Sequence, residues 1–158
     1  MLKLMGLLIV ANGAPILMTW LLGQRLNWPV DGGRLWPRDG RRVLGRDKSW
    51  RGVVASLLAA GLAAEWLGWT GGFGFTIAAW AMLGDLVSSF CKRRLGLAPG
   101  DRALGLDQIP ESLFPLLAAR AELDLRAGEV AELLVLFLCL DLILSRGLYA
   151  LHIRERPY

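Results

Sequence analysis

The sequence has few of the residues on which several protein classes depend. Its 158 residues include two cysteines and one histidine, so neither a disulfide-rich scaffold nor a cysteine–histidine zinc site is expected. Seven prolines and no tripeptide repeat exclude collagen. The single histidine, His152, allows no Ser-His-Asp triad, and the motif Gly-x-x-x-x-Gly-Lys-Ser/Thr is missing. These absences exclude a secreted mini-domain, a zinc centre and a soluble-type phosphate loop.

Apolar side chains are what the sequence has in excess. Hydrophobic residues make up 54% of the chain, and 19 glycines come in addition. Soluble domains average roughly 45–50% with glycine already included, because a small fold keeps much of its surface in water. The composition therefore excludes intrinsic disorder and predicts an integral membrane protein.

Four segments are apolar and long enough to cross a hydrocarbon core, which takes about 20 residues. They are Leu2–Leu22, Val53–Thr70, Phe73–Cys91 and Val130–Leu151. A fifth, Ile109–Ala119, is short and contains two prolines. The prediction is a single-domain, all-α membrane bundle of five transmembrane helices, four clear and one short. A tight hairpin is expected at Gly71-Gly72. A cleaved signal peptide is the competing interpretation of the first segment, but its apolarity continues to Leu22.

Basic residues are concentrated in two loops, 23–52 and 92–108. The first loop holds eight and the second holds four. They are Arg25, Arg34, Arg38, Arg41, Arg42, Arg46, Lys48 and Arg51, then Lys92, Arg93, Arg94 and Arg102. Because positively charged loops stay in the cytoplasm, both loops are predicted to be cytoplasmic and the N-terminus to lie outside. If all five segments cross the membrane, Arg146, Arg154 and Arg156 also lie near the cytoplasmic face. The distribution of basic residues does not decide whether the short segment crosses.

The third predicted span ends in a stripe of chemically active side chains. Asp85, Ser88 or Ser89, Lys92 and Arg93 recur at helical spacing, which puts a carboxylate, a hydroxyl and two cations on one face. An aspartate in hydrocarbon costs about 2.5–3.5 kcal/mol at the bilayer centre and less near the interface, and it usually marks function. The alternative is that the basic triplet only anchors the helix end among headgroups.

Two further clusters lie on the same predicted side. Lys48 and Arg51 flank the start of the second span, where Asp47 or Ser49 would cap the helix and free N–H groups would hold a phosphate. Headgroup anchoring, with Trp50 in the aromatic belt, is the alternative.

Asp107, followed by Glu111, would supply hard oxygen ligands for Mg²⁺ together with Asp85. A helix cap formed by Asp107 or Ser112 is the alternative. Glu65 and Asp141 lie within spans, where hydrogen bonding between helices and support of a site both stay open. Carboxylates, cations and glycine-rich turns on one face are typical of a site that handles a metal-bound polyphosphate.

These residues occur in an order that resembles the CDP-archaeol synthase family, archaeal-type relatives of the bacterial phosphatidate cytidylyltransferases. The matching elements are Asn12 with Pro15, Asp31-Gly32-Gly33, Asp39-Gly40-Arg41-Arg42-Val43-Leu44-Gly45, Lys48-Ser49-Trp50-Arg51-Gly52, Gly84-Asp85, Ser89-Phe90, Lys92-Arg93-Arg94-Leu95-Gly96, Pro99-Gly100 and Leu106-Asp107-Gln108. The resemblance covers nearly the whole chain. Ser49 stands where threonine is common, and the His-Gly-Gly element of the bacterial enzymes is missing.

The resemblance implies a membrane enzyme that uses CTP and Mg²⁺ to convert a lipid phosphate into a CDP-lipid, with release of pyrophosphate. It implies the following roles: Asp85 and Asp107 for the metal, Lys48, Arg51, Ser89, Lys92 and Arg93 for the reacting phosphates, and Asp31, Gly32, Gly33, Lys48 and Arg94 for the nucleotide. No nucleic-acid partner is expected, and the oligomeric state stays open.

Two other functional classes share parts of this pattern. A non-enzymatic transporter or an accessory protein that grips anionic lipids is the main alternative. A CDP-alcohol phosphotransferase needs a multi-aspartate motif that the sequence does not contain.

Overall fold

The computed structural model describes residues 1–98, 101 and 103–153. Within them the regular structure is helical, and the prediction of an all-α fold is confirmed. The helices are α1 (Leu2–Leu22), α2 (Trp50–Trp66), α3 (Gly71–Arg94), α4 (Gln108–Leu123) and α5 (Ala127–Ala150). Several residues used in the sequence argument lie outside the described residues: Pro99, Gly100, Arg102, Arg154 and Arg156.

The turn between α2 and α3 lies earlier in the chain than expected. It occupies residues 67–70, and Gly71 and Gly72 already belong to α3. Thr70 sets this boundary, because its Oγ1 accepts the Phe73 N–H and so caps the free amide end of the helix. The hairpin was predicted correctly, but its turn was not.

The central helix is α3, which packs against α1, α2 and α4. Two glycines permit its close contacts. A Cβ on Gly74 would collide with the Ala60 carbonyl of α2, and a Cβ on Gly84 would collide with the Pro110 carbonyl of α4. Small residues let helix backbones approach closely where van der Waals packing must hold a membrane bundle together. Gly84 thus brings the start of α4 next to Asp85.

A side chain of α2 compensates for a proline inside α1. Pro15 has no N–H, so the Ala11 carbonyl loses its usual intrahelical donor. The fully buried Ser56 Oγ donates to that carbonyl at 2.7 Å. An unpaired carbonyl would be costly in an apolar interior, so this hydrogen bond joins α1 to α2 near the middle of both helices.

Residues 23–49 form an ordered loop. Antiparallel backbone bridges join Pro29 to Ser49 and Leu35 to Arg42. The Val30 N–H donates to the Lys48 carbonyl at 2.8 Å, next to the first of these bridges. Lys48 is therefore fixed on both sides, by the loop before it and by the start of α2 after it.

The outer surface of the bundle is apolar. Both α1 and α3 are long and apolar enough to cross a membrane. All five helices expose large hydrophobic side chains, among them Leu17, Leu58, Trp80, Leu117 and Ile143. Exposed apolar surface on this scale marks contact with another apolar phase, as expected of a protein embedded in lipid.

We expect Ser56→Ala to lower stability by about 1–3 kcal/mol, because it leaves the Ala11 carbonyl buried without a donor. In a Pro15→Ala background the loss should shrink, since residue 15 then supplies an N–H to the same carbonyl. Thermal unfolding of the four proteins in detergent measures both effects. An equal loss in the two backgrounds would contradict this role for Ser56.

Candidate functional site

Charged side chains gather at one end of the bundle. The loop 23–49, the start of α2, the last turns of α3 and the segment leading into α4 all lie there. We call this the charged end. At the opposite end, Lys3 donates to the Leu67 carbonyl at 2.9 Å. Glu65, in the last turn of α2, also lies at that opposite end and is exposed, which removes it from the site.

The first feature of the charged end is an ion pair between Lys48 and Asp85. Lys48 Nζ lies 2.7 Å from Asp85 Oδ1, and the two side chains are 24% and 22% exposed. Both residues were predicted for the site, but their direct contact was not. The pair lines a cleft of about 50 Å³ between α1, α2 and α3. The other cleft residues are Asp47, Ser49, Gly52, Pro15, Val30, Val53, Met82 and Leu86.

The charge of Lys48 is secured by its neighbours. Burial alone would lower the pKa of Lys48, but the attraction of Asp85, helped by other nearby carboxylates, raises it above its usual value of 10.5. Because the folded-state pKa of Lys48 is raised, the stabilisation from its charge is complete below the usual value of 10.5 and is lost only as the pH rises through the folded-state pKa. Lys48 is therefore a fixed cation at physiological pH.

The second feature is an ion pair between Lys92 of α3 and Asp107 at the start of α4. Lys92 Nζ lies 2.5 Å from Asp107 Oδ1, and the other carboxylate oxygen accepts the Ala103 N–H at 2.9 Å. Asp107 occupies the N-cap position, yet its side chain caps no helical N–H. Ser112 donates backwards to the Gln108 carbonyl and is no cap either. Helix capping therefore does not account for the position of the Asp107 carboxylate.

The two predicted metal ligands lie in separate ion pairs. Asp85 contacts Lys48 and Asp107 contacts Lys92, while Glu111 of α4 lies within electrostatic reach of both aspartates. Within residues 1–98, 101 and 103–153, no group of three or more Asp, Glu, His or Cys side chains is placed to hold a metal. Mg²⁺ in nucleotide sites uses one or two carboxylates and completes its shell with water and phosphate oxygens. Hard carboxylate oxygens fit such a site.

Ser89 and Arg93 form a buried polar pair one turn apart on α3. They are 2% and 5% exposed. Arg93 Nη2 donates to the Ala98 carbonyl at 3.1 Å, but Ser89 Oγ and Arg93 Nε and Nη1 have no hydrogen-bond partner in the part of the chain that is described. Because buried donors without partners are costly, these groups are suited to receive oxygens of a bound anion.

Two of the arginines predicted for the site, Arg51 for phosphate and Arg94 for the nucleotide, are engaged with other parts of the chain. Arg51 donates to the Gly23 and Arg25 carbonyls and to Thr19 Oγ1, at the end of α1. Its guanidinium therefore satisfies two backbone carbonyls of the loop that follows α1. Arg51 was predicted to contact phosphate, and its side chain does not line the cleft.

Arg94 fastens the loop to the end of α3. It donates to Asp39 Oδ1 at 2.9 Å and to the Arg42 carbonyl at 2.6 Å. Its guanidinium lies 5.6 Å from the ring centre of Trp36 and 5.1 Å from that of Phe90, a favourable cation–π geometry. Arg94 therefore holds the loop 23–49 against the end of α3. Direct contact of Arg94 with the nucleotide stays a prediction.

Asp31 organises the loop that it belongs to. Its side chain is 1% exposed, and it accepts hydrogen bonds from Arg42 and from the N–H groups of Gly33 and Leu44. Burial alone would raise the pKa of Asp31, but these hydrogen bonds lower it below 3.8. The role of Arg42 was missed, since pairing across a loop has no short-range sequence signal.

Gly32 and Gly33 give the loop its shape. They have φ values of 57° and 79°, which favour glycine. With Asp31 and four further residues, Val30, Arg34, Val43 and Leu44, Gly32 borders an open depression of about 470 Å³. Nucleotide contact at these glycines stays a prediction.

We expect Asp31→Asn to destabilise the loop by about 1–3 kcal/mol, because a buried charge-assisted hydrogen bond is lost. The depressed pKa of Asp31 gives the contribution a definite pH range: it is constant above the usual value of 3.8 and disappears as the pH falls through the folded-state pKa. Thermal unfolding from pH 8 to pH 3 measures the difference from wild type. The exposed Glu132→Gln on α5 is the control. A difference that persists unchanged at pH 3 would exclude the carboxylate as its cause.

Gln108 and Asp141 contact each other, and the sequence alone did not predict this contact. Gln108 Nε2 donates to Asp141 Oδ2 at 3.1 Å, so a carboxylate of α5 reaches the first residue of α4. The sequence left open whether Asp141 forms a hydrogen bond between helices or supports a site. The hydrogen bond between helices is present, and it ends beside the charged end.

Comparison with known proteins gives one consistent family. The family model described as CDP-archaeol synthase, CarS-like, matches residues 69–158. CDP-archaeol synthase of Sulfurisphaera tokodaii is 35% identical over 94% of this chain and 84% of its own length. The Thermococcus onnurineus protein of the same name is 38% identical over 79% of this chain and 76% of its own length.

A solved structure gives the same result. It is described as an intramembrane enzyme for the biosynthesis of archaeal membrane lipids. It aligns with a TM-score of 0.75 and 33% identity over 90% of both chains. The resemblance seen in the sequence is confirmed.

Proposed function

Because the chain belongs to the CDP-archaeol synthase family, we propose that it transfers the cytidylyl group of CTP to a lipid phosphate in the membrane. The products are a CDP-lipid and pyrophosphate. The observation that carries this proposal is the convergence of Lys48–Asp85, Lys92–Asp107 and the buried Ser89–Arg93 pair at one end of the bundle. Cations and carboxylates at the end of an apolar bundle suit a reaction between a polyphosphate and a lipid.

All five helices are proposed to cross the membrane, with the charged end in the cytoplasm and the N-terminus outside. Among the residues that the structure describes, most basic side chains lie at the charged end, whereas Lys3, Arg120 and Arg126 lie at the other. This bias supports the orientation, because basic loops stay in the cytoplasm. CTP would then reach the site from the aqueous side.

The reaction is a displacement at phosphorus. An oxygen of the lipid phosphate forms a bond to the α-phosphorus of CTP, and the bond from that phosphorus to the bridging oxygen breaks as pyrophosphate leaves. The nucleophile is already ionised near neutral pH, so no general base is needed. Both reactants are anions, and catalysis is therefore mainly charge neutralisation and positioning.

Three cations of the charged end have the direct roles in this proposal. Lys48, Lys92 and Arg93 neutralise the triphosphate and the lipid phosphate, and the Ser89 hydroxyl donates to a phosphate oxygen. Arg51 and Arg94 contribute by fixing the end of α1 and the loop. Asp31, Gly32 and Gly33 shape the depression that borders the nucleotide.

Asp85 and Asp107 are the carboxylates that would hold Mg²⁺. When bound, the ion supplies positive charge to the phosphate oxygens and offsets the charge that develops as pyrophosphate leaves. Lys48 lies beside Asp85, and Lys92 lies beside Asp107. Each lysine would contact a phosphate group, and together they would align the two anions.

The apolar part of the cleft suits a lipid substrate. Pro15, Val53, Met82 and Leu86 contribute the apolar walls, and Lys48 with Asp85 lies at the polar side. A molecule with a phosphate attached to a hydrocarbon chain matches this change in polarity.

The proposal is tested by incubating the purified protein in nanodiscs with labelled CTP, Mg²⁺ and a panel of ether- and ester-linked lipid phosphates. Labelled CDP-lipid in the organic extract is the expected result. No product from any lipid phosphate would favour the alternative, a transporter or an accessory protein that binds anionic lipids.

We expect Asp85→Asn to reduce turnover by about 10²–10³-fold, a loss comparable to that of a preorganised electrostatic group elsewhere. The variant should still insert and unfold cooperatively. Glu132→Gln on the exposed face of α5 should keep wild-type activity. Near-normal turnover of Asp85→Asn would remove Asp85 from the site, and the same result for Lys48→Met would remove its partner.

A further inference from the structure

We propose that Asp141 of α5 is a positioning residue that holds Asp107 opposite Lys92, acting through Gln108. The inference rests on the proposed function, because it assigns Asp141 to the site where CTP and the lipid phosphate react. Its starting point is a carboxylate within a helix otherwise rich in apolar residues. Such a residue is costly in a membrane bundle unless it has a partner.

The partner of Asp141 is a buried amide. Gln108 is 5% exposed, and its Nε2 donates to Asp141 Oδ2 at 3.1 Å. The other end of the same amide, Oε1, accepts the Gly105 N–H at 3.1 Å. Gly105 has a φ of 82°, so the backbone here adopts a turn that favours glycine. One planar amide thus joins α5 to the turn that precedes α4.

That turn places the Asp107 carboxylate. The Asp107 N–H donates to the Ala103 carbonyl at 3.0 Å, and Asp107 Oδ2 accepts the Ala103 N–H at 2.9 Å. The remaining oxygen, Oδ1, lies 2.5 Å from Lys92 Nζ. Fixing Gly105 therefore fixes the turn, and the turn fixes the orientation of Asp107. Without Asp141, the amide of Gln108 loses the acceptor that sets its orientation.

The contact needs the acceptor oxygen of Asp141, and its charge is not required for this task. An asparagine at 141 would present a similar oxygen to Gln108 Nε2, whereas an alanine would not. Residues that orient a group of an active site typically cost about 10–100-fold in activity or metal affinity when removed. This contrast between two variants separates positioning from a general effect on the helix.

The kinetic experiment compares Asp141→Ala, Asp141→Asn and the control Glu132→Ala in the CDP-lipid assay. For Asp141→Ala we expect kcat to fall, and the Mg²⁺ concentration for half-maximal activity to rise, by about 10-fold or more. Asp141→Asn should stay within about 3-fold of wild type, because the acceptor is retained. Glu132→Ala should equal wild type.

Three results would overturn the inference. Wild-type kinetics for Asp141→Ala would show that the contact does not matter while the proposed function stands. An equally poor Asp141→Asn would show that the hydrogen bond is not the route. No activity of the wild type itself would overturn the proposed function, and the positioning role with it.

A second measurement does not depend on activity. Thermal unfolding of Asp141→Ala, Gln108→Ala and the double variant forms a double-mutant cycle. We expect the second substitution to cost clearly less in the presence of the first, because each removes the same hydrogen bond. Additive losses would contradict the contact between α4 and α5 on which the inference depends.

Discussion

The ion pair between Lys48 and Asp85 is the contact on which the charged end depends. It joins the ordered loop 23–49 to α3, the helix against which α1, α2 and α4 pack. In a partly apolar environment, a charge that loses its partner is strongly destabilising, although a pair this exposed to solvent is worth less than a fully buried one. The same contact therefore holds the loop against α3 and keeps a cation beside a carboxylate at the charged end.

The bundle creates this arrangement by bringing separate helix ends together. Gly84 lets α4 approach α3, and this contact places Asp107 within reach of Lys92. Arg94 docks the loop through Asp39 and the ring of Trp36. The Lys48–Asp85 and Arg94–Asp39 ion pairs join the loop 23–49 to α3, and the Lys92–Asp107 pair joins α3 to the start of α4. The site is a property of the packed bundle, and small residues at the helix crossings are as necessary to it as the charged side chains.

Much of the fold could be predicted from composition and apolar segments. The five helices appear in order because long apolar runs separated by polar loops permit few other structures. The chemistry-bearing residues of α3 could also be predicted, since Asp85, Ser89 and Lys92 recur at helical spacing. Their partners could not, because Lys48 and Asp107 reach α3 only through tertiary packing. The engagement of Arg51 with the end of α1 likewise depends on where a neighbouring helix stops.

The central claim is that Asp85 and Asp107 bind one cation-bearing triphosphate between the two lysines. A crystal structure with CTP and Mn²⁺, measured at a wavelength where manganese scatters anomalously, tests it most directly. We expect an anomalous peak at bonding distance from at least one of the two carboxylates, with phosphate oxygens contacting Lys48 or Lys92. A triphosphate bound away from α3, with no peak near either aspartate, would contradict the account.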